Sequence, residues 1–352
     1  IFYTSGTTGL PKGVVRELDS ITKNAMMEAQ GRSVHAWGLD ANGPRSIMTG
    51  PLYHSAPNAY AMGIIRKEGL LVLQTRFCAE ELLFMIDRFQ ITHLHMVPTM
   101  FSRLLKLPRE ERLKFNLSSL LHVVHGAAPC SNEIKDQMID WFGKKIFEYY
   151  AMTETGIIAC CDSEEWLSHK GTVGRAADGV DIRIVDEWGK KCGPNFPGQI
   201  CINSGISSHV FYHNAEEKTR ELRPDDYIAT GDVGYLDEGG YLFISDRLSD
   251  MIISGGVNIY PAEIEKALIE LPMVNDCAVF GVPDSDLGEK VIAVIDAEEK
   301  ISDKDVKIFL RKRVSKEKIP KEIIFDNTLP REESGKIKKR LLREAYKART
   351  TN

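Results

Sequence analysis

The chain has 352 residues, 43% hydrophobic and 27% charged, with a formal net charge of −5. That length allows roughly two to three globular domains, and no apolar run approaches the ~18 residues of a membrane-spanning helix. Seven scattered cysteines (Cys78, Cys130, Cys160, Cys161, Cys192, Cys201 and Cys277) lack any Cys-x-x-Cys spacing, so they read as free thiols of a reducing, cytoplasmic compartment and not as a disulfide framework. The first element is residues 3–14, YTSGTTGLPKGV. Hydroxyl residues Thr4, Ser5, Thr7 and Thr8 alternate there with Gly6, Gly9 and Gly13, and Lys12 supplies a cation. Glycines admit close backbone approach, and N–H groups, hydroxyls and a lysine suit phosphate oxygens. The usual P-loop places Lys-Ser/Thr directly after its last glycine. Here Leu10 and Pro11 separate Gly9 from Lys12, and Gly13 follows. The apolar lead-in Ile1-Phe2-Tyr3 and the Pro11-Lys12-Gly13 turn argue for strand then loop, against a flexible linker. With no initiator Met before such a loop, the chain is expected to be an N-terminally truncated piece of a longer protein.

Residues 79–142 alternate helix and strand. AEELLFMIDRF has helical spacing, ITHLHMVP is a strand, MFSRLLKL is helical and LLHVVHG is a strand. SNEIKDQMIDWF is an amphipathic helix with Ser131 as N-cap. This order predicts a parallel sheet covered by helices. Gly126-Ala127-Ala128-Pro129 and EYYAMTETG (Glu148–Gly156) both follow strands, so both fall at the sheet end where open α/β folds bind ligands. An aromatic there can stack on a purine, and a glutamate beside polyphosphate can hold Mg²⁺. A core aromatic pair followed by a helix cap is the structural alternative. His93, His95, His122 and His125 have no carboxylate or thiol partner at ligand spacing, so core or edge histidines are expected and not a metal site.

From about 171 to 245 short alternating runs (VDIRIVD, GQICI, YLFIS) predict a β-rich subdomain, a small barrel or a distorted sheet. Gly231-Asp232 and Arg247 stand fifteen residues apart there. An aspartate can accept ribose hydroxyls and an arginine can fork onto phosphate, although a surface ion pair reads the same way. Beyond Arg247 come strands at MIIS, CAVFGVP, KVIAVID and IPKEIIF. Helices are expected at PAEIEKALIEL, opened by Pro261, and at DKDVKIFLRKRV, with Ser302 and Asp305 at capping-box spacing. A basic helix closes an α+β lobe of about 100 residues. Residues 301–352 hold 16 Lys+Arg against 8 Asp+Glu, so the other 300 carry −13. Aromatics are sparse in that segment, which disfavours nucleic acid as its partner. Lys336 follows the flexible Ser334-Gly335 pair in PREESGKIKKR.

The ordered set YTSGTTGLPKGV, EYYAMTETG, GDVGYLD, DRLSDMIISGG and PREESGKIKKR spans the chain. It closely resembles the acyl-adenylate-forming superfamily, which includes acyl-CoA synthetases, peptide-synthetase adenylation domains and beetle luciferases. The resemblance implies an α/β fold: an incomplete N-terminal adenylation domain (1–248) and a mobile C-terminal lobe (249–352). It also implies a ligase that converts a carboxylate and Mg-ATP into acyl-AMP, then transfers the acyl group to coenzyme A. Thr4, Ser5, Gly6, Thr7, Thr8, Gly9 and Lys12 would hold the β- and γ-phosphates. Gly126 to Pro129, including Ala127 and Ala128, would line the adenine. Tyr149, Tyr150, Ala151 and Met152 would complete that wall, with Tyr150 stacking on the base. Thr153 would meet the α-phosphate, Glu154 would bind Mg²⁺, Asp232 would hold the ribose and Arg247 the ribose-phosphate region. Lys336 would bridge carboxylate and α-phosphate oxygens, and Ser249 would be the hinge, where the family usually carries Asp or Lys. After rotation, Ser254, Gly255 and Gly256 would admit the pantetheine arm, and the basic lobe would meet the phosphates of CoA. PLYHSAP matches the segment that places a gating histidine, here His54. It carries no aspartate to pair with an amino-acid amine, which favours a fatty or other hydrophobic carboxylate. Two alternatives remain open: an acyl-AMP ligase that loads a carrier protein, and a nucleotide-binding fragment without turnover.

Overall fold

The computed structural model describes residues 1–4, 12–17, 23–223, 226–297, 301–331 and 337–350. Ser5, Gly6, Thr7, Thr8, Gly9 and Lys336 therefore lie outside the described residues. The chain divides into two compact units: Ile1–Thr230 with Gly234–Ile244, and Ser245–Asn352 with Gly231–Val233.

The frame of the first unit is an eleven-stranded sheet. Its parallel half runs Leu70–Leu73, Arg45–Met48, His93–Met96, His122–His125, Ile146–Met152. HLHM and HVVH are buried at every position, as strands covered on both faces must be. Helices Ala79–Phe89, Pro98–Leu105 and Asn132–Phe142 supply the cover, burying Leu82, Leu83, Ile86, Phe101, Leu104 and Met138 in one core. Ser131 caps the third of them by accepting from the Ile134 N–H at 3.3 Å.

At Ile146–Met152 the sheet changes character. No helix follows, which removes the expected alternative of a helix cap. Residues 153–155 turn, Gly156 takes φ +80°, and Gly156–Cys161 returns antiparallel. The remaining strands (Gly174–Ala176, Tyr241–Arg247, Ile228–Leu236, Gly198–Ser204, Val180–Val185) extend the same sheet. The β-rich stretch is thus a sheet continuation, and it does not close into a barrel among the described residues. A separate antiparallel sheet joins Phe2–Thr4, Lys12–Arg16 and Val210–Tyr212.

In the second unit Val274–Asp284 and Gly288–Ala297 form a long hairpin, flanked by Ile252–Ser254 and by Glu322–Phe325, which runs parallel to Gly288–Ala297. Alternation buries both faces. Cys277 and Val279 meet the helices Pro261–Ile269 and Asp303–Leu310, whereas Ala278, Phe280 and Val282 meet Leu342 and Tyr346 of the closing helix Lys339–Thr350. Ser302 caps as expected, accepting from the Asp305 N–H. The Asp305 carboxylate, however, accepts from the Ser302 hydroxyl at 2.5 Å, so the reciprocal half of the box is not made.

Candidate active site

Thr153 and Glu154 occupy the turn at the carboxyl end of Ile146–Met152, where the parallel and antiparallel halves of the sheet meet. Three other segments converge on this turn. The Arg16 guanidinium donates to the carbonyls of Thr153, at 2.6 Å, and Glu154, at 3.2 Å. The Tyr212 hydroxyl donates to Glu154 Oε1 at 2.6 Å. Ser55 Oγ lies 3.1 Å from Thr153 Oγ1. The local sequence explains the first two contacts. In Lys12–Arg16 side chains alternate, so Lys12, Val14 and Arg16 share one face. The register sets Val14 opposite Tyr212 and Arg16 opposite Val210, which puts Tyr212 on that face too. The Lys12 ammonium lies 4.9 Å from the centroid of the Tyr212 ring, a cation–π distance. Burial lowers the Arg16 pKa, and Glu154 opposes the shift. Glu154 is only 6% exposed. Arg16, Tyr212 and Ser55 were not among the residues singled out from sequence, and only the alternation Lys12-x-Val14-x-Arg16 signals one of them.

The second patch is residues 126–129, at the carboxyl end of the neighbouring strand His122–His125. Gly126 is buried against Tyr149: a Cβ there would meet the Tyr149 carbonyl oxygen at 2.7 Å and ring atoms at 2.8 Å. Ala127 holds φ +67°, a left-handed conformation that non-glycine residues adopt at a cost, and Ala127, Ala128 and Pro129 are exposed. Tyr149 corrects the sequence-based expectation. Its side chain does not line this surface. Strand alternation turns it inward, where it is 3% exposed and its hydroxyl meets His95 Nε2 at 2.8 Å. Tyr150, Ala151, Met152 and Thr153 are half-buried.

The four histidines are buried. His93 Nε2 meets the Gly38 carbonyl and His122 Nε2 the Ala36 carbonyl. Burial pushes His95 and His122 down to about 4. His125 lies 3.7 Å from Glu148, which is paired with the fully buried Lys135 at 2.5 Å. Among the described residues no group of three or more His, Cys, Asp or Glu is arranged to hold a metal. Glu154 by itself suits Mg²⁺, which keeps water and phosphate ligands and takes only one or two carboxylates. Its Oε1 is engaged by Tyr212, and among the described residues Oε2 accepts no hydrogen bond. His54 is the N-cap of helix Ser55–Arg66, and its Nε2 has no partner among the described residues.

In the second unit Asp232 and Arg247 come together, with Oδ1 and Nε 2.9 Å apart and Asp232 nearly buried. Ser249 is exposed in a 3₁₀ turn, Leu248–Asp250. Asp246 accepts from the N–H groups of Arg247 and Ala262, each at 2.7 Å. Burial raises its pKa to about 6, against the pull of Lys339. Ser254 and Val257 close a two-residue hairpin whose turn residues, Gly255 and Gly256, have φ +58° and +79°. Two successive positive φ values are those of a type I′ turn, which glycine fills without strain.

Residues 1–210 match the family described as AMP-binding enzyme, and residues 263–336 match the AMP-binding enzyme C-terminal domain. The chain belongs to the AMP-binding enzyme family. Among curated relatives of this AMP-binding enzyme, the peroxisomal OPC-8:0-CoA ligase 1 of Arabidopsis thaliana is 30% identical, covering 100% of this chain and 64% of the relative. The long-chain-fatty-acid–CoA ligase FadD13 of Mycobacterium tuberculosis is 32% identical, covering 99% and 67%. Among solved structures, the amide bond synthetase McbA of Marinactinospora thermotolerans superposes with a TM-score of 0.86 at 27% identity, covering 98% of this chain and 68% of that one. The chain thus spans about two thirds of the length of the relatives it matches. No helix among the described residues is long and apolar enough to cross a membrane.

Proposed function

We propose that this AMP-binding enzyme activates a hydrophobic carboxylic acid with ATP and passes the acyl group to coenzyme A. The observation that carries the reading is the convergence on the Thr153-Glu154 turn. Arg16 of the strand leaving the phosphate loop holds the two backbone carbonyls of this turn, Ser55 of the helix after His54 meets the Thr153 hydroxyl, and Tyr212 donates to the Glu154 carboxylate, all at a strand's carboxyl end. In the first half-reaction a carboxylate oxygen attacks the α-phosphorus and pyrophosphate leaves. Residues 4–12 hold the β- and γ-phosphates, Thr153 meets the α-phosphate, and Tyr150 with residues 126–129 lines the adenine. Asp232 accepts from the ribose hydroxyls, supported by Arg247. Glu154 is the residue that would hold Mg²⁺, which when bound neutralises charge on the phosphate oxygens. Lys336 stabilises the charge that builds between carboxylate and α-phosphate, and one such donor is worth ~10²–10³ in rate. In the second half-reaction the thiol of CoA attacks the acyl carbonyl and AMP leaves. The lobe 249–352 turns about Ser249 to bring Ser254, Gly255 and Gly256 to the site, and His54 gates the acyl pocket. The names of the OPC-8:0 and long-chain-fatty-acid ligases support a fatty or similarly apolar acid, as does the lack of an acidic residue in residues 51–61.

The likeness to an amide bond synthetase favours a second reading, in which the same adenylate is handed to an amine. The test measures ATP–pyrophosphate exchange over a panel of acids, then product formation with CoA or amines. Lys336→Ala should abolish exchange and spare thioester formation from synthetic acyl-AMP. Equal loss in both assays would remove Lys336 from the adenylation step. Amide without thioester would select the second reading, and no exchange with any acid would refute adenylation.

A further inference from the structure

We infer that Tyr212 is a positioning residue, acting with Arg16, that fixes the Glu154 carboxylate for binding a divalent cation; this rests on the adenylation reading above. Tyr212 is 58 residues from Glu154 in sequence and arrives through pairing of Val210–Tyr212 with Lys12–Arg16. It is 8% exposed, and its hydroxyl is committed to Oε1 at 2.6 Å. A carboxylate with one oxygen held by a buried donor presents the other at a fixed angle. It then binds a cation through one oxygen, as suits an ion that keeps most of its water and phosphate ligands. Arg16 fixes the base of the same side chain. Its guanidinium spans two successive carbonyls, at Thr153 and Glu154, so the turn cannot rotate without breaking both bonds. Its charge also stands near the Glu154 carboxylate. A lysine would bring the charge but not the planar fork. The Tyr212 ring has a second contact, the Lys12 ammonium on its face. One side chain therefore touches both the end of the phosphate loop and the cation-binding carboxylate.

Partners that orient a ligating carboxylate typically set metal affinity by ~10–100-fold. Tyr212→Phe keeps the ring, its volume and the Lys12 contact, and removes the hydroxyl that donates to Glu154. Manganese binding is read by electron paramagnetic resonance in the presence of a non-hydrolysable ATP analogue. The Mn²⁺ Kd should rise ~10-fold or more. Affinity for AMP without metal should change less than about twofold, and kcat should recover at saturating Mg²⁺. Arg16→Lys should raise the Mn²⁺ Kd in the same direction while retaining the fold, which covers the case of an unstable Tyr212 variant. Glu154→Gln is the control. If it leaves the Mn²⁺ Kd unchanged, the assignment of Glu154 to the cation fails. If Glu154→Gln weakens Mn²⁺ binding and Tyr212→Phe and Arg16→Lys do not, the inference is overturned. Loss of thermal stability in both variants without a change in Mn²⁺ Kd would likewise make the network purely structural.

Discussion

Removing the Lys135 ammonium should destabilise the first unit in a strongly pH-dependent way. Lys135 is fully buried on helix Asn132–Phe142, its Nζ 2.5 Å from Glu148 on strand Ile146–Met152 and 4.8 Å from the centroid of the Trp166 ring. Burial raises the Glu148 pKa, and Lys135 opposes the rise by charge and hydrogen bond. In Lys135→Met nothing cationic opposes it, so Glu148 folds as the neutral acid. Drawing a proton onto a carboxyl whose unfolded pKa is about 4.3 takes about 1.36 kcal/mol for each pH unit above that value. The cost is about 3.7 kcal/mol at pH 7 and about 1 kcal/mol at pH 5, in line with the ~3–5 kcal/mol typical of broken buried pairs. The sign follows from the raised folded pKa: the neutral form is fully stable below the unfolded value, and stability falls as pH rises above it. Urea unfolding read from tryptophan fluorescence at pH 5, 6 and 7 gives the slope. Lys135→Met/Glu148→Leu should return to within about 1 kcal/mol of the unsubstituted chain, because both desolvation terms vanish together. Among the described residues His125, 3.7 Å from Glu148, is the neighbour that could replace the charge by taking a proton. Adding His125→Phe to the Lys135→Met background tests that route. A Lys135→Met loss below about 1 kcal/mol at pH 7 and flat with pH, with His125 removed, would refute the reasoning.

Two further outcomes follow from single positions. Asp246, with a folded pKa of about 6 against an ordinary 3.8, should lose the second unit about 3 kcal/mol of stability as pH rises through the window from 4 to 6. Asp246→Asn should flatten the unfolding profile there, and an unchanged profile would remove the assignment. Gly126→Ala should cost ~1–3 kcal/mol by overpacking against the Tyr149 ring that His95 anchors. It should also weaken AMP binding, read by calorimetry, and unchanged stability together with unchanged AMP affinity would show that the 126–129 turn absorbs a methyl group freely.

What was legible in the sequence was local. Runs such as AEELLFMIDRF and PAEIEKALIEL carry their own period, and they fold where the pattern puts them. The strand ends bearing Gly126 and Thr153-Glu154 were legible for the same reason, since alternating helices and strands bring carboxyl ends to one edge. Strand partnership was not. VDIRIVD and YLFIS announce half-buried strands, but alternation does not say which edge each will join, so barrel and sheet extension read alike until the order is seen. Tyr149 and Tyr150 were indistinguishable as neighbours, and the pleat alone sends Tyr149 to His95 and turns Tyr150 the other way, half-buried against the cluster that holds Val14 and Tyr212. Tyr212 was invisible because its meaning lies in the Val14 register and in a carboxylate 58 residues away.

Charge shows the same limit from the other side. The eight-unit basic excess of residues 301–352 suggested a surface for the phosphates of CoA. In the folded unit Arg313, Lys318, Arg331, Lys339 and Arg343 pair with Glu270, Glu263, Asp276, Glu265 and Asp250. All five acids lie outside that segment, so the pairs offset five of the eight charges within the unit. Two of the five, Lys339 and Arg343, are one helical turn apart: Lys339 pairs with Glu265 on helix Pro261–Ile269, and Arg343 reaches Asp250, next to Ser249. The closing helix therefore fastens Asp250, beside the proposed hinge, through Arg343. The CoA recognition proposed above would then depend on the placement of individual bases, because the field of the lobe as a whole is largely neutralised by its own acids.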